Sequence, residues 1–180
     1  MEEPRVILNK DGVKFIKLSK NNFQLLSNLE NSKLDLVELI NFDLIKLMYD
    51  LNKDINEYTD LYKINEQEAI MIVLMKPFFE DLGFPQKYAH LRIHKIVEEN
   101  KIKFISIPII ERPEQIPKHA EMIPFKTISS TFYIENIHKI SIENNITFQD
   151  KHVIPPFIEK FFGTIFCKIY NRVKLFIDKA

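Results

Sequence analysis

The sequence predicts an α+β fold: an N-terminal hairpin, a helical segment, an antiparallel sheet of about four to six strands and a long C-terminal amphipathic helix. Three observations carry that expectation. An Asp-Gly pair separates two apolar runs near the N-terminus, and near residue 102 the apolar spacing changes from three-and-four to two. Paired apolar residues then recur from Pro155-Pro156 to the end of the chain. A length of 180 residues suits one domain, and without a Gly/Ser linker or internal repeat we assign residues 1–180 to it. Its parts are a hairpin over 1–19, an acidic helical stretch over 20–82, a basic and mainly stranded stretch over 83–150, and a terminal helix over 155–178.

The hairpin pairs Val6-Ile7-Leu8 with Val13–Leu18 across Asn9-Lys10-Asp11-Gly12, where Asp-Gly supplies the positive-φ turn. Beyond it, few β-branched residues occur up to Lys63. Leu34, Val37, Ile40, Leu44, Leu47, Met48 and Leu51 predict a helix from about Ser32, with Leu36, Leu39 and Phe42 forming a second apolar strip. Asn65-Glu66-Gln67-Glu68 has the form of an N-cap with Glu at N3. It would open a second helix, buried all round through Ala69–Met75, stopped near Pro77 and closed by Gly83.

Residues 88–98 admit two readings. On a helix, His90 and His94 would be i,i+4 neighbours able to share a metal. On a strand, which the alternation of Ala89, Leu91, Ile93 and Val97 favours, they lie about 13 Å apart, too far for one ion. Ile102–Ile107, Thr131–Glu135 and Ile137–Ile142 are strands, and Asn144-Asn145 is expected to turn the chain before Ile146-Thr147-Phe148. The proline-spaced segment from Pro108 to Pro124 reads as a long surface loop or edge. In the terminal helix, Phe157-Ile158, Phe161-Phe162, Ile165-Phe166, Ile169-Tyr170, Val173 and Phe176-Ile177 make an apolar arc of roughly 220°. Whether that arc is core or interface is left open by the sequence.

Composition excludes more than it assigns. Gly12, Gly83 and Gly163 are the 3 glycines of the chain, so no GxGxxG, GxxxxGK[ST] or GxSxG occurs. The lone Cys167 excludes an internal disulfide and a multi-cysteine zinc site. No cofactor is expected, and the sequence shows neither a secretory signal nor an apolar run long enough for a spanning helix. Net charge is zero, but residues 20–82 carry −6 and residues 83–180 carry +5. With 28 Ile, 21 Lys and 14 Asn against 4 Arg and 4 Ala, the coding genome is AT-rich, viral genomes being among such sources.

These exclusions lead to a non-catalytic interaction or structural subunit of an intracellular, in one variant viral, assembly, located in cytoplasm, nucleus or virion. It would hold protein partners, or a second copy of itself, through two surfaces. One is the proline-spaced arm, with Arg112, Pro113, Pro117, Lys118 and His119; the other is the terminal helix, with Phe161, Phe162, Phe166, Lys168 and Arg172. The same helix also has the pattern of a peripheral membrane contact. Two alternatives accompany this reading. A nucleic-acid accessory protein would use Lys101, Lys103, Lys118, Lys126, Lys139 and Lys151 among Phe104, Phe125, Phe132 and Tyr133. A small hydrolase or metal enzyme would use His90, His94, His119 or His152.

Overall fold

The computed structural model describes residues 3–180. In chain order the strands are β1 (Arg5–Lys10), β2 (Val13–Ser19), β3 (Asn22–Glu30), β4 (Asn56–Asn65), β5 (Glu68–Met75), β6 (Lys87–Glu98), β7 (Lys101–Pro108), β8 (Glu121–Met122), β9 (Phe125–Asn136) and β10 (Lys139–Phe148). The helices are α1 (Leu36–Leu39), α2 (Phe42–Asp50) and α3 (Pro156–Lys179). All ten strands belong to one sheet, ordered β1-β2-β3-β10-β9-β7-β6-β5-β4, with the short β8 running parallel to β6. Every other pairing is antiparallel.

The α+β arrangement of about four to six strands is therefore wrong, and the error lies mostly between residues 20 and 82. There β3, β4 and β5 replace expected helix. In β3 the buried positions Phe23, Leu25, Ser27 and Leu29 alternate, but Leu, Gln and Asn are weak strand formers, so propensity hid the pattern. Asn65 was misleading for a more specific reason. Its side chain accepts a hydrogen bond from the Gln67 amide at 2.8 Å, and the chain reverses there between β4 and β5. An asparagine capping a tight turn and one capping a helix both bond an amide two residues on. The expected helix from Ser32 forms only as α1 and α2, because Asn41 is extended and caps Asp43 and Leu44. Asn144-Asn145 does not turn the chain: β10 runs straight through both residues.

The apolar run Ala69–Met75 is buried on both faces, as its composition requires, although as a strand. Ala69, Met71 and Val73 join the main core, whereas Ile72 and Leu74 face the opposite side. Ile116 and Ala120, from the proline-spaced segment, cover them together with Tyr88. The expected elements that do form are the first hairpin, with Asp11 and Gly12 at φ 54° and 78°, the strand reading of 88–98, the strands Ile102–Ile107 in β7 and Thr131–Glu135 in β9, the later part of Ile137–Ile142 in β10, and α3.

Helix α3 lies across β1, β2 and β3 and against α2. Residues from β3, β5, β6, β7, β9 and β10 nevertheless surround the same interior space as its Phe166, Ile169 and Tyr170. The sheet is thus bent around the helix. Gly163 sits where α3 comes closest, and a Cβ there would lie 2.8 Å from the Phe15 ring. At one end Glu159, buried on the same helix, takes Lys17 at 2.7 Å and Arg5 at 3.0 Å. At the other, Asn31 donates to the Ile177 carbonyl at 2.7 Å.

Candidate functional site: a cavity between helix and sheet

Two spaces lie between α3 and the sheet. The outer one is a cleft of about 460 Å³ near the start of α3. Its walls are Met75, Phe84, Pro85, Met122, Pro124 and Phe148, the Val153–Pro155 approach to the helix, and Ile158, Phe161 and Phe162 of α3. Lys76, Lys87, Glu121 and His152 are the polar residues at its edge. The β5–β6 connection closes one side with aromatic rings. Phe79 and Phe78 meet Phe161 edge-on at 4.7 and 5.0 Å, and Phe84 meets Phe157 at 5.7 Å. Phe79 holds φ at 62°, a left-handed conformation costly for a bulky residue.

The inner space, about 110 Å³, sits deeper, between α2, α3 and the middle of the sheet. Its lining is Leu, Ile, Met, Phe and Tyr with three small polar side chains, Ser106, Ser130 and Asn144, and no ionisable acid or base. Register explains the polar group. Asn144 of β10 pairs with Leu25 of β3 on one side and Ser130 of β9 on the other, so all three share one row of the sheet. Period two then turns Ile140, Ile142, Asn144, Ile146 and Phe148 to the same buried face. Asn144 is 3% exposed, and neither its Nδ2 nor its Oδ1 closes a hydrogen bond of ordinary length and angle, although the Tyr170 hydroxyl stands beside it. The Tyr170 phenol faces Asn144 and Ser130, and burial raises its pKa far above the ordinary tyrosine value. Burial likewise pushes Tyr49 up to about 12, so both rings stay neutral at physiological pH.

A layer of rings separates the two spaces. Phe148 stacks on Phe162 at 5.9 Å, and Phe162 meets Phe166 at 6.4 Å. Phe148 and Phe162 border the outer cleft, whereas Ile146 and Phe166 border the inner space. One step along β10 and one turn of α3 therefore lead from one compartment to the other.

The chain matches, over 100% of its own length and 91% of the other, the lipid transfer and protein localization domain of human StarD13, with a TM-score of 0.72 at 10% identity. Human StAR-related lipid transfer protein 5 gives 0.66 at 10% identity, over 95% of this chain and 84% of that one. Ara h 8.0201 gives 0.52 at 11%, over 87% and 96%. This is a helix-grip fold. No protein-family model and no curated protein matches the sequence.

The helix-grip architecture overturns the reading as a structural subunit of an intracellular or viral assembly, and most of the residues assigned to partner surfaces make contacts within the fold. In the proline-spaced segment, Arg112 lies 5.1 Å over the Tyr88 ring and donates to the Pro117 carbonyl at 2.8 Å. Pro113 and Pro117 accept the Ile116 and Ala120 amides, His119 meets Gln86 at 3.2 Å, and Lys118 is exposed. On α3, Phe161 and Phe162 line the outer cleft and Phe166 the inner space. Lys168 and Arg172 both bind Asp54, and Arg172 also donates to Asn52 Oδ1 at 2.8 Å.

Both alternatives lose groups they relied on. Phe104, Phe125 and Phe132 are buried in the core and offer no stacking face to a nucleic acid. His90 and His94 sit on strand β6, and the His90 ring Nδ1 donates to the Glu111 carbonyl at 2.8 Å. Among the described residues no three His, Cys, Asp or Glu side chains converge as a metal site. Burial pushes the Cys167 thiol up to about 11, away from the thiolate that reactivity needs.

Sequence reading missed Met75, Phe148, Ser130, Asn144 and Tyr170 as a set. One pattern was present: Asn144 takes the inward phase of an otherwise apolar alternation.

Proposed function

We propose that this chain, with residues 1–180 acting as one domain, binds an apolar, lipid-like molecule between α3 and the sheet. The observation that carries this reading is the cleft itself: about 460 Å³, walled largely by Phe, Ile, Met and Pro and continuing inward across one layer of rings. Ligand pockets typically span about 300–1,000 Å³ with mostly apolar walls and a few polar groups. Two of the structural neighbours are described as lipid transfer proteins or domains, which supports the same reading. Among the residues singled out in the sequence, Phe161, Phe162 and Phe166 act as cavity walls rather than as a surface for protein partners.

Exchange of such a ligand brings the cleft mouth against a membrane surface. Val153 and Phe157 stand exposed there, and Leu82 is exposed on the adjoining connection. Lys151 and Lys160 are exposed beside them. Among the described residues no helix is long and apolar enough to cross a membrane. Titration with a neutral fluorophore such as diphenylhexatriene tests the reading. Saturable binding is expected, weakened about tenfold, or about 1.4 kcal/mol, by Ile158→Trp, which fills the cleft. Binding that never saturates, or that the variant leaves unchanged, would contradict it.

A further inference from the structure

We infer that the inner space selects a lipid whose leading group is uncharged and both donates and accepts a hydrogen bond, as a hydroxyl does, with Asn144 as its partner. This inference rests on the ligand-binding reading above and assigns the chemical class of the ligand. Both polar atoms of the Asn144 amide are buried without a well-formed hydrogen bond, the Tyr170 hydroxyl being their neighbour across the space. A buried donor and acceptor left unpaired are rare in folded proteins and costly to desolvate. Here both belong to a side chain that lines a cavity of about 110 Å³, so a guest atom can reach them. A hydroxyl accepts from Nδ2 and donates to Oδ1, which satisfies both at once.

Other headgroups fit worse. A carboxylate or phosphate only accepts, and an ammonium only donates, so each leaves one Asn144 atom unpaired. Each also carries a charge into a space lined by no ionisable acid or base, where no counter-charge repays the loss of hydration. The Tyr49 and Tyr170 rings do not supply one, since burial keeps both phenols protonated. A plain alkane leaves both atoms unpaired. Water can serve the amide while the site is empty, and a ligand that displaces it must reproduce its bonds. The rest of the ligand then extends past Phe162, which is only half-buried, into the outer cleft.

The test is displacement of bound diphenylhexatriene from the full chain by four ligands of one chain length: hexadecanol, hexadecane, palmitate and hexadecylammonium. Hexadecanol is expected to displace the probe at about tenfold lower concentration than the other three. Asn144→Leu, of similar volume and able to keep the strand, is expected to reduce that advantage to about threefold or less, because hexadecanol loses its partner and hexadecane no longer strands a buried amide. Should the variant fail to fold, the ranking on the parent protein alone decides. Equal displacement by all four, or a charged ligand ranking first, overturns the inference and leaves the apolar-ligand reading intact. If the probe does not bind the parent protein at all, both fall.

Discussion

Gly163 shows how a single missing methyl group sets the distance between α3 and the sheet. Its prospective Cβ meets Phe15, which is 1% exposed. Phe15 is held by a parallel stack on Phe23 at 5.6 Å and by Phe166 at 5.8 Å. The ring has nowhere to go. Alanine would raise helix propensity by about 1 kcal/mol, but overpacking a filled core costs about 1–3 kcal/mol. Gly163→Ala is therefore expected to lower stability by about 1 kcal/mol in urea unfolding, and a stabilised variant would contradict this packing. Asn144 carries the complementary lesson. Its place in the series Ile140, Ile142, Asn144, Ile146 and Phe148 marks it as an inward polar residue in a buried strand. Turn propensity of the Asn-Asn pair obscured that phase, because local preference and strand alternation conflict at the one polar position.

At the level of elements, α3 was legible from end to end, while three strands were not. Its apolar pairs follow the helical period over 24 residues, long enough for periodicity to outweigh any local preference. Strands β3 and β4 are rich in leucine, asparagine and charge, β5 is a continuous apolar run that suits a buried helix as well as a strand, and the Asn65 motif between β4 and β5 is common to turns and helix caps. Lys168 and Arg172, first read as a surface for partners, tie α3 to the loop after α2 through Asp54. Hydrogen bonds from Arg172, then Lys168, hold the Asp54 carboxyl well below the usual carboxylate range. A carboxyl depressed in the folded state adds stability above its unfolded pKa of about 3.9 and loses it as pH falls toward the folded value. Asp54 is 48% exposed, so solvent screens the pair and its contribution is at most about 1 kcal/mol. Asp54→Asn is expected to cost up to that amount at pH 7, with the gap between variant and parent closing below about pH 4. Chemical unfolding across that range checks it; a gap that stays constant down to pH 2 would place the stabilisation elsewhere.

The whole molecule is a sheet folded around a helix, and this was the least legible feature. A helix-covering sheet and a ligand-enclosing sheet both need alternating apolar strands and a wide apolar arc on the helix. The difference lies in the space left between them, which depends on which side chains meet across elements distant in sequence, such as Phe148 with Phe162. The same long-range packing turns the proline-spaced segment from a free arm into a cover over Ile72 and Leu74. Absent glycine loops removed nucleotide chemistry from consideration, but they are silent about a binder whose walls are rings and aliphatic chains. The central claim, that this interior is a ligand site, is tested most directly by native mass spectrometry of the full chain after incubation with mixed-lipid vesicles and re-isolation. The account predicts a population shifted by the mass of one lipid per chain, dominated by a neutral alcohol and clearly reduced in Ile158→Trp. Only the bare protein mass, with lipid present in excess, would contradict it.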